Sequence, residues 1–107
     1  MILIVGANLM FASKILETAR ALGLSAAQAA PDSAELGNAK LVLLDLEKLG
    51  ADGVRALRER TKARLVGYAS HVADDALSAA RAAGCDEVLT RGQFSARLPQ
   101  LLSGATA

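Results

Sequence analysis

The chain has little that could staple, anchor or charge it. Cys85 is the only cysteine in 107 residues, so no disulfide framework and no cysteine-based zinc site can form within one chain. His71 is the only histidine, and nothing supplies the second and third ligands a metal would need at helical spacing. At its turn it reads as a polar loop residue. Tryptophan is absent, and the aromatics are Phe11, Tyr68 and Phe94 alone. A core without aromatic bulk must come from Leu, Val, Ile and Ala, with thin helices close to a sheet. Formal net charge is +1 with no dense Lys/Arg block, which argues against nucleic acid held through its phosphates. The opening run Met1-Ile2-Leu3-Ile4-Val5 is too short to span a bilayer, and no basic segment precedes it as in a signal peptide. A cytoplasmic protein with no membrane partner is the expectation. Gly6 is followed by neither G-x-G-x-x-G nor a Walker lysine.

What is present is an alternation. Hydrophobic residues make up 52% and charged residues 21%, the balance of one folded domain. Alanine alone accounts for 23 positions. Ile2-Leu3-Ile4-Val5 and Leu41-Val42-Leu43-Leu44 are unbroken apolar runs bounded by polar residues, as in strands buried on both faces. Phe11, Ile15, Ala19 and Leu22 recur at helical spacing. They predict a helix over residues 9–22, capped by Asn8 and stopped by Gly23. A short edge strand is expected within 24–29, then a short helix from Pro31-Asp32-Ser33 to Gly37-Asn38. Strand three is 41–45. A loop Gly50-Ala51-Asp52-Gly53 leads to a third helix with Val54 and Leu57 inward and Arg55, Arg58, Glu59 and Arg60 solvated.

Residues 64–68 predict a fourth strand and Ala69-Ser70-His71 a turn. Residues 74–83 predict an alanine-rich helix with Leu77 inward, and Asp74-Asp75 offsetting its dipole. Residues 87–89 predict a fifth strand, beside which Cys85 packs as a small apolar residue. The last helix is expected over 94–102, disordered in part by Pro99 unless that residue lies in the first turn. Five strand–helix alternations predict an α/β fold: a three-layer α/β/α sandwich on a five-stranded parallel sheet, flavodoxin-like order 2-1-3-4-5. One domain should cover 1–103, with residues 104–107 a frayed tail.

In such a sheet ligands and chemistry gather at the carboxyl ends of the strands, and Asp45 sits there. Leu41 to Leu46 with Asp52-Gly53 following, Ala82-Ala83-Gly84-Cys85-Asp86-Glu87-Val88-Leu89 entering strand five, and Ile2 to Val5 at the start together resemble a response-regulator receiver domain, CheY-like, over nearly the whole chain. The resemblance makes Asp45 the phospho-acceptor equivalent. It also calls for an acidic pair after strand one to hold Mg²⁺, a Thr or Ser ending strand four, and a Lys ending strand five. Here the acidic pair is replaced by Gly6 and Ala7, with Asn8 offering a neutral amide. The hydroxyl position falls on Ala69, with Ser70 one residue later. The Lys position falls on Arg91, followed by Gly92 instead of the usual Pro, and the Pro four residues after the acceptor is Leu49.

Magnesium needs several hard oxygen ligands, and phosphoryl transfer rests on positioning and charge neutralisation. The resemblance therefore implies a degenerate pseudo-receiver: a non-enzymatic, stand-alone bacterial signalling domain without metal or cofactor. Asp45 is expected to pair with Arg91 or to accept N–H bonds from the turn after strand one. No DNA-binding domain follows, so output is expected through a protein partner or a homodimer, by the surface receivers use, residues 76–83, 88–91 and 94–102. Two other readings stay open: a phospho-accepting response regulator with an eroded metal site, and a small-ligand or nucleotide binder using the same edge.

Overall fold

Runs of β-branched and leucine residues with no polar interruption cannot face water on either side, so they collect at the centre of a sheet. In the computed structural model, which describes residues 1–69 and 74–104 and leaves out the side chains of 74–77, every one of the expected strands forms. The order along the chain is β1 (Ile2–Val5), α1 (Leu9–Ala21), β2 (Ala26–Ala29), a 3-10 turn (Ala34–Asn38), β3 (Leu41–Asp45), α2 (Leu46–Arg60), β4 (Arg64–Ala69), α3 (Asp74–Ala82), β5 (Glu87–Thr90) and α4 (Arg91–Gly104). The strands lie parallel in the order β2-β1-β3-β4-β5. This is the predicted three-layer α/β sandwich.

Side chains alternate across the sheet, as the strand period of two demands. Ile2, Ile4, Leu41, Leu43, Val66 and Tyr68 pack beneath α1 and α4, against Ile15, Ala19, Phe94 and Leu98. Leu3, Val5, Val42, Leu44 and Leu65 point the other way, toward Val54 and Leu57 of α2 and Ala80 and Ala83 by α3. Gly67 on β4 leaves room for α2: a Cβ there would lie 2.6 Å from Leu46 Cδ2. Cys85 is buried, with Sγ 3.5 Å from the Leu65 carbonyl and 3.3 Å from that of Glu87.

Several expectations are corrected. The helix after Pro31 is only the 3-10 turn, anchored by buried Leu36. Gly37 and Asn38 end the segment before an α-helical nucleus can repay its ordering cost. The loop expected over 50–53 shrinks to a kink at Gly50 between two helical segments. Asp45 caps α2, so the helix begins at once, and only Gly50 (φ 62°, ψ 179°) interrupts it. Arg58 does not face solvent freely. Its guanidinium donates to the carbonyls of Thr61 (2.9 Å), Ala63 (2.6 Å) and Gly84 (3.2 Å) and to Asp86 Oδ2 (3.1 Å). Asp86 Oδ2 in turn accepts from the Leu65 amide at 2.8 Å. Ala69 belongs to β4 instead of a turn. The last helix starts at Arg91 and runs through Ser103 and Gly104, with Pro99 well past its first turn. Pro99 has no N–H for the Ser95 carbonyl one turn back. The inward placement expected of Leu77 lies outside the described side chains.

Candidate functional site at the carboxyl edge

Parallel strands all end at the same edge, so the tips of β1, β3, β4 and β5 bring distant residues together. Asp45, last on β3, is 5% exposed. Its extended backbone (φ −84°, ψ 109°) makes it the N-cap of α2, and Oδ1 accepts from the Glu47 amide at 2.9 Å. Its other oxygen, Oδ2, faces Arg91 at 3.8 Å, an ion pair too long for a hydrogen bond. The expected partnership with Arg91 is therefore present. The expected N–H bonds from the turn after β1 are replaced by one from the carboxylate's own helix, because a strand-end Asp followed at once by a helix meets that helix's orphan donors first.

Asn8 caps α1, accepting from the Phe11 amide at 2.8 Å. Gly6 turns with φ 80°. A Cβ at Gly6 would lie 3.6 Å from Leu49 Cγ, 3.7 Å from Lys48 Cβ and 3.8 Å from Asp45 Cβ. The first turn of α2 thus already stands over the place of the acidic pair. Ala69, buried at the tip of β4 opposite Thr90 of β5, presents only a methyl group. Ser70 and His71 lie outside the described residues, as do the side chains of Asp74 and Asp75.

Arg91 opens α4 directly after β5 and is held by aromatic rings as well as by charge. Its guanidinium carbon lies 5.2 Å from the centroid of Phe11 and 6.0 Å from that of Tyr68, within reach of a cation–π attraction. Phe11, Tyr68 and Phe94 form one cluster with centroid separations of 4.8, 4.6 and 5.6 Å. All the aromatics of the chain have gathered under this edge. Hydrophobic periodicity alone does not bring them together. Their signal was positional: one starts α1, one nears the tip of β4 and one starts α4, all close to strand ends. Tyr68 is fully buried, and its hydroxyl finds no hydrogen-bond partner among the described residues, nor does the Nε of Arg91. Burial drives the phenol well above its ordinary range, the neighbouring Asp45 charge adds to this, and Arg91 opposes it. The phenol therefore stays neutral.

Beside Arg91 an open groove of about 490 Å³ is lined by Asn8, Leu9, Met10, Phe11 and Lys14. Leu9 is 75% and Met10 85% exposed. No group of three His, Cys, Asp or Glu that could hold a metal ion occurs among the described residues. No helix among them is long and apolar enough to cross a membrane.

The fold is similar to that of several solved response regulators. The chain superposes on a response regulator from Thermotoga maritima with TM-score 0.71 at 14% identity, covering 95% of this chain and 96% of that one. For a two-component response regulator from Clostridium difficile the values are 0.72 and 16%, with 99% and 98% covered. For a response regulator from Burkholderia pseudomallei, solved with a phosphorylated aspartic acid, a calcium ion and citrate, they are 0.72 and 18%, with 98% of this chain and 69% of that one covered. No protein-family model matches the sequence, and no curated protein matches it. A divalent cation such as the calcium ion of the Burkholderia structure is a poor fit to the described residues at this edge. There Asp45 has one oxygen on an amide and the other toward a guanidinium.

Proposed function

We propose that this chain is a receiver-fold signalling module that works by protein contact, without efficient Mg²⁺-dependent phosphorylation and without enzymatic activity of its own. One observation carries this: Asp45 Oδ1 accepts from the Glu47 amide, and Oδ2 faces the Arg91 guanidinium across a 3.8 Å ion pair. A phosphoryl group adds about two negative charges at pH 7. Bringing it to a carboxylate without metal leaves Arg91 as the nearby cation, and a fixed fork is a poor copy of a mobile ammonium. The Asp45–Arg91 pair would hold one signalling state in place. As a cytoplasmic bacterial module it would signal without touching nucleic acid or membrane, through a protein partner or a second copy. The proposed surface is formed by α3, β5 and α4, residues 76–83, 88–91 and 94–102. In its support, β5 is an edge strand, and Ala79 and Ala82 leave part of α3 exposed and thin.

The test is incubation with a small phosphodonor and Mg²⁺, followed by intact mass. No adduct is expected. A single phosphoryl adduct that disappears in Asp45→Asn would establish a working phospho-acceptor and overturn the proposal. The groove beside Arg91 favours a second reading, a small-ligand or nucleotide binder, and a thermal shift on adding nucleotide would select it.

A further inference from the structure

The same parallel arrangement that gathers strand tips at one edge gathers strand starts at the other. Lys40 immediately precedes β3, Arg64 opens β4 and Glu87 opens β5, with Leu41 in register with Arg64. The helix α4 returns across the sheet and brings Arg97 and Gln100 to the same place. The result is a pocket of about 200 Å³ lined by Lys40, Leu41, Arg64, Arg97, Gln100 and Leu101. Its apolar walls, Leu41 and Leu101, are buried. Glu87, with only 19% of its side chain exposed, accepts from Arg64 on one oxygen and from Arg97 on the other.

That carboxylate fixes both guanidinium groups while using one terminal nitrogen of each. The other terminal nitrogens, and the Lys40 ammonium, have no ion pair among the described residues. Among the described lining residues and Glu87, three cations therefore share one counter-charge, an excess of two. The dipole at the end of α4 would favour one cation nearby and does not call for three. Arginine forks bind phosphate oxygens in paired hydrogen bonds, and a fork already held in position loses less freedom on binding.

We propose that this pocket, on the edge opposite Asp45, binds a dianionic phosphate group, either free or carried as a phosphomonoester. The lysine supplies a point charge, Arg64 and Arg97 supply oriented N–H groups, and Gln100 supplies a neutral amide. Binding here needs neither metal nor Asp45.

Amide NMR titration at constant ionic strength tests it, with inorganic phosphate in one arm, phenyl phosphate in the second and chloride in the third. Saturable shifts confined to Leu41, Arg64, Arg97, Gln100 and Leu101 are expected with phosphate and not with chloride. Tighter binding of phenyl phosphate identifies a carried phosphate group as the ligand, and tighter binding of inorganic phosphate identifies the free ion. Arg64→Gln should weaken binding at least tenfold. Lys40→Gln, at an exposed side chain without an ion-pair partner among the described residues, should also weaken it and carries the test should Arg64→Gln fold poorly. Asp45→Asn should bind as the wild type does, which separates this site from the phosphorylation question. Linear, unsaturated shifts, or equal shifts at the distant Lys14 and Lys48, would overturn the proposal.

Discussion

At the scale of single residues, Asp45 shows how one carboxylate is divided between two tasks. The cap to Glu47 is a short bond at the start of a helix, the kind worth about 0.5–2 kcal/mol. The Arg91 pair is long, and 37% of the Arg91 side chain is exposed, so water screening holds it to about 1 kcal/mol or less. The cap should dominate. Asp45→Ala is expected to destabilise by about 1–3 kcal/mol in urea unfolding, whereas Asp45→Asn, which keeps an acceptor oxygen, should recover most of that. Equal losses in the two variants would instead put the weight on charge. Cys85 carries a second residue-scale prediction. Burial raises its thiol pKa to about 11. In the unfolded chain the thiol ionises at a lower pH, so the stability it contributes is whole below about pH 8.5 and is lost as pH climbs through the folded value. Unfolding free energy should fall between about pH 9 and 11, and Cys85→Ala should flatten part of that slope. Tyr68, raised in the same sense, supplies a further alkaline loss that this variant leaves in place.

At the scale of elements, α2 is held at both ends by polar groups that the helical pattern alone does not reveal. Asp45 starts it, and Arg58 ties its end to the loop before β4, to the turn after α3 and to Asp86. Asp86 passes the connection on to the Leu65 amide. In the sequence Arg58 reads as one of four solvated charges because nothing local distinguishes it from Arg55 or Arg60. Its partners at Gly84 and Asp86 are 26 and 28 residues away. Arg58→Met keeps the aliphatic stem but strands three carbonyls. It should cost about 2–4 kcal/mol, with increased amide exchange at Gly84 and Cys85. A loss under 0.5 kcal/mol, the size of a typical exposed substitution, would show that water replaces the guanidinium without penalty.

For the whole molecule, the parallel sheet sorts polar side chains by edge. The carboxyl tips hold Asp45, Arg91 and the aromatic cluster, and the amino ends hold the cationic pocket. A receiver-like Mg²⁺ site with Kd of about 1 mM would add roughly 1.4 kcal/mol at about 10 mM Mg²⁺. In a domain of this size that corresponds to several degrees in melting temperature. No such rise is expected here. A saturable increase of several degrees, absent in Asp45→Asn, would contradict the single-carboxylate site.

The order of strands and helices, the buried runs 2–5 and 41–44, the Asn8 cap and the pairing of Asp45 with Arg91 could all be read along the chain. Periodicity and capping act over a few residues, whereas the pairing of Asp45 with Arg91 was legible only through the receiver resemblance, since β4 separates the tips of β3 and β5. The gathering of Phe11, Tyr68 and Phe94 around Arg91, the reach of Arg58 across to Gly84 and Asp86, and the meeting of Lys40, Arg64 and Arg97 could not. Those contacts depend on register and on the angle at which each helix crosses the sheet. Both are set by how side chains from opposite ends of the chain fill shared space.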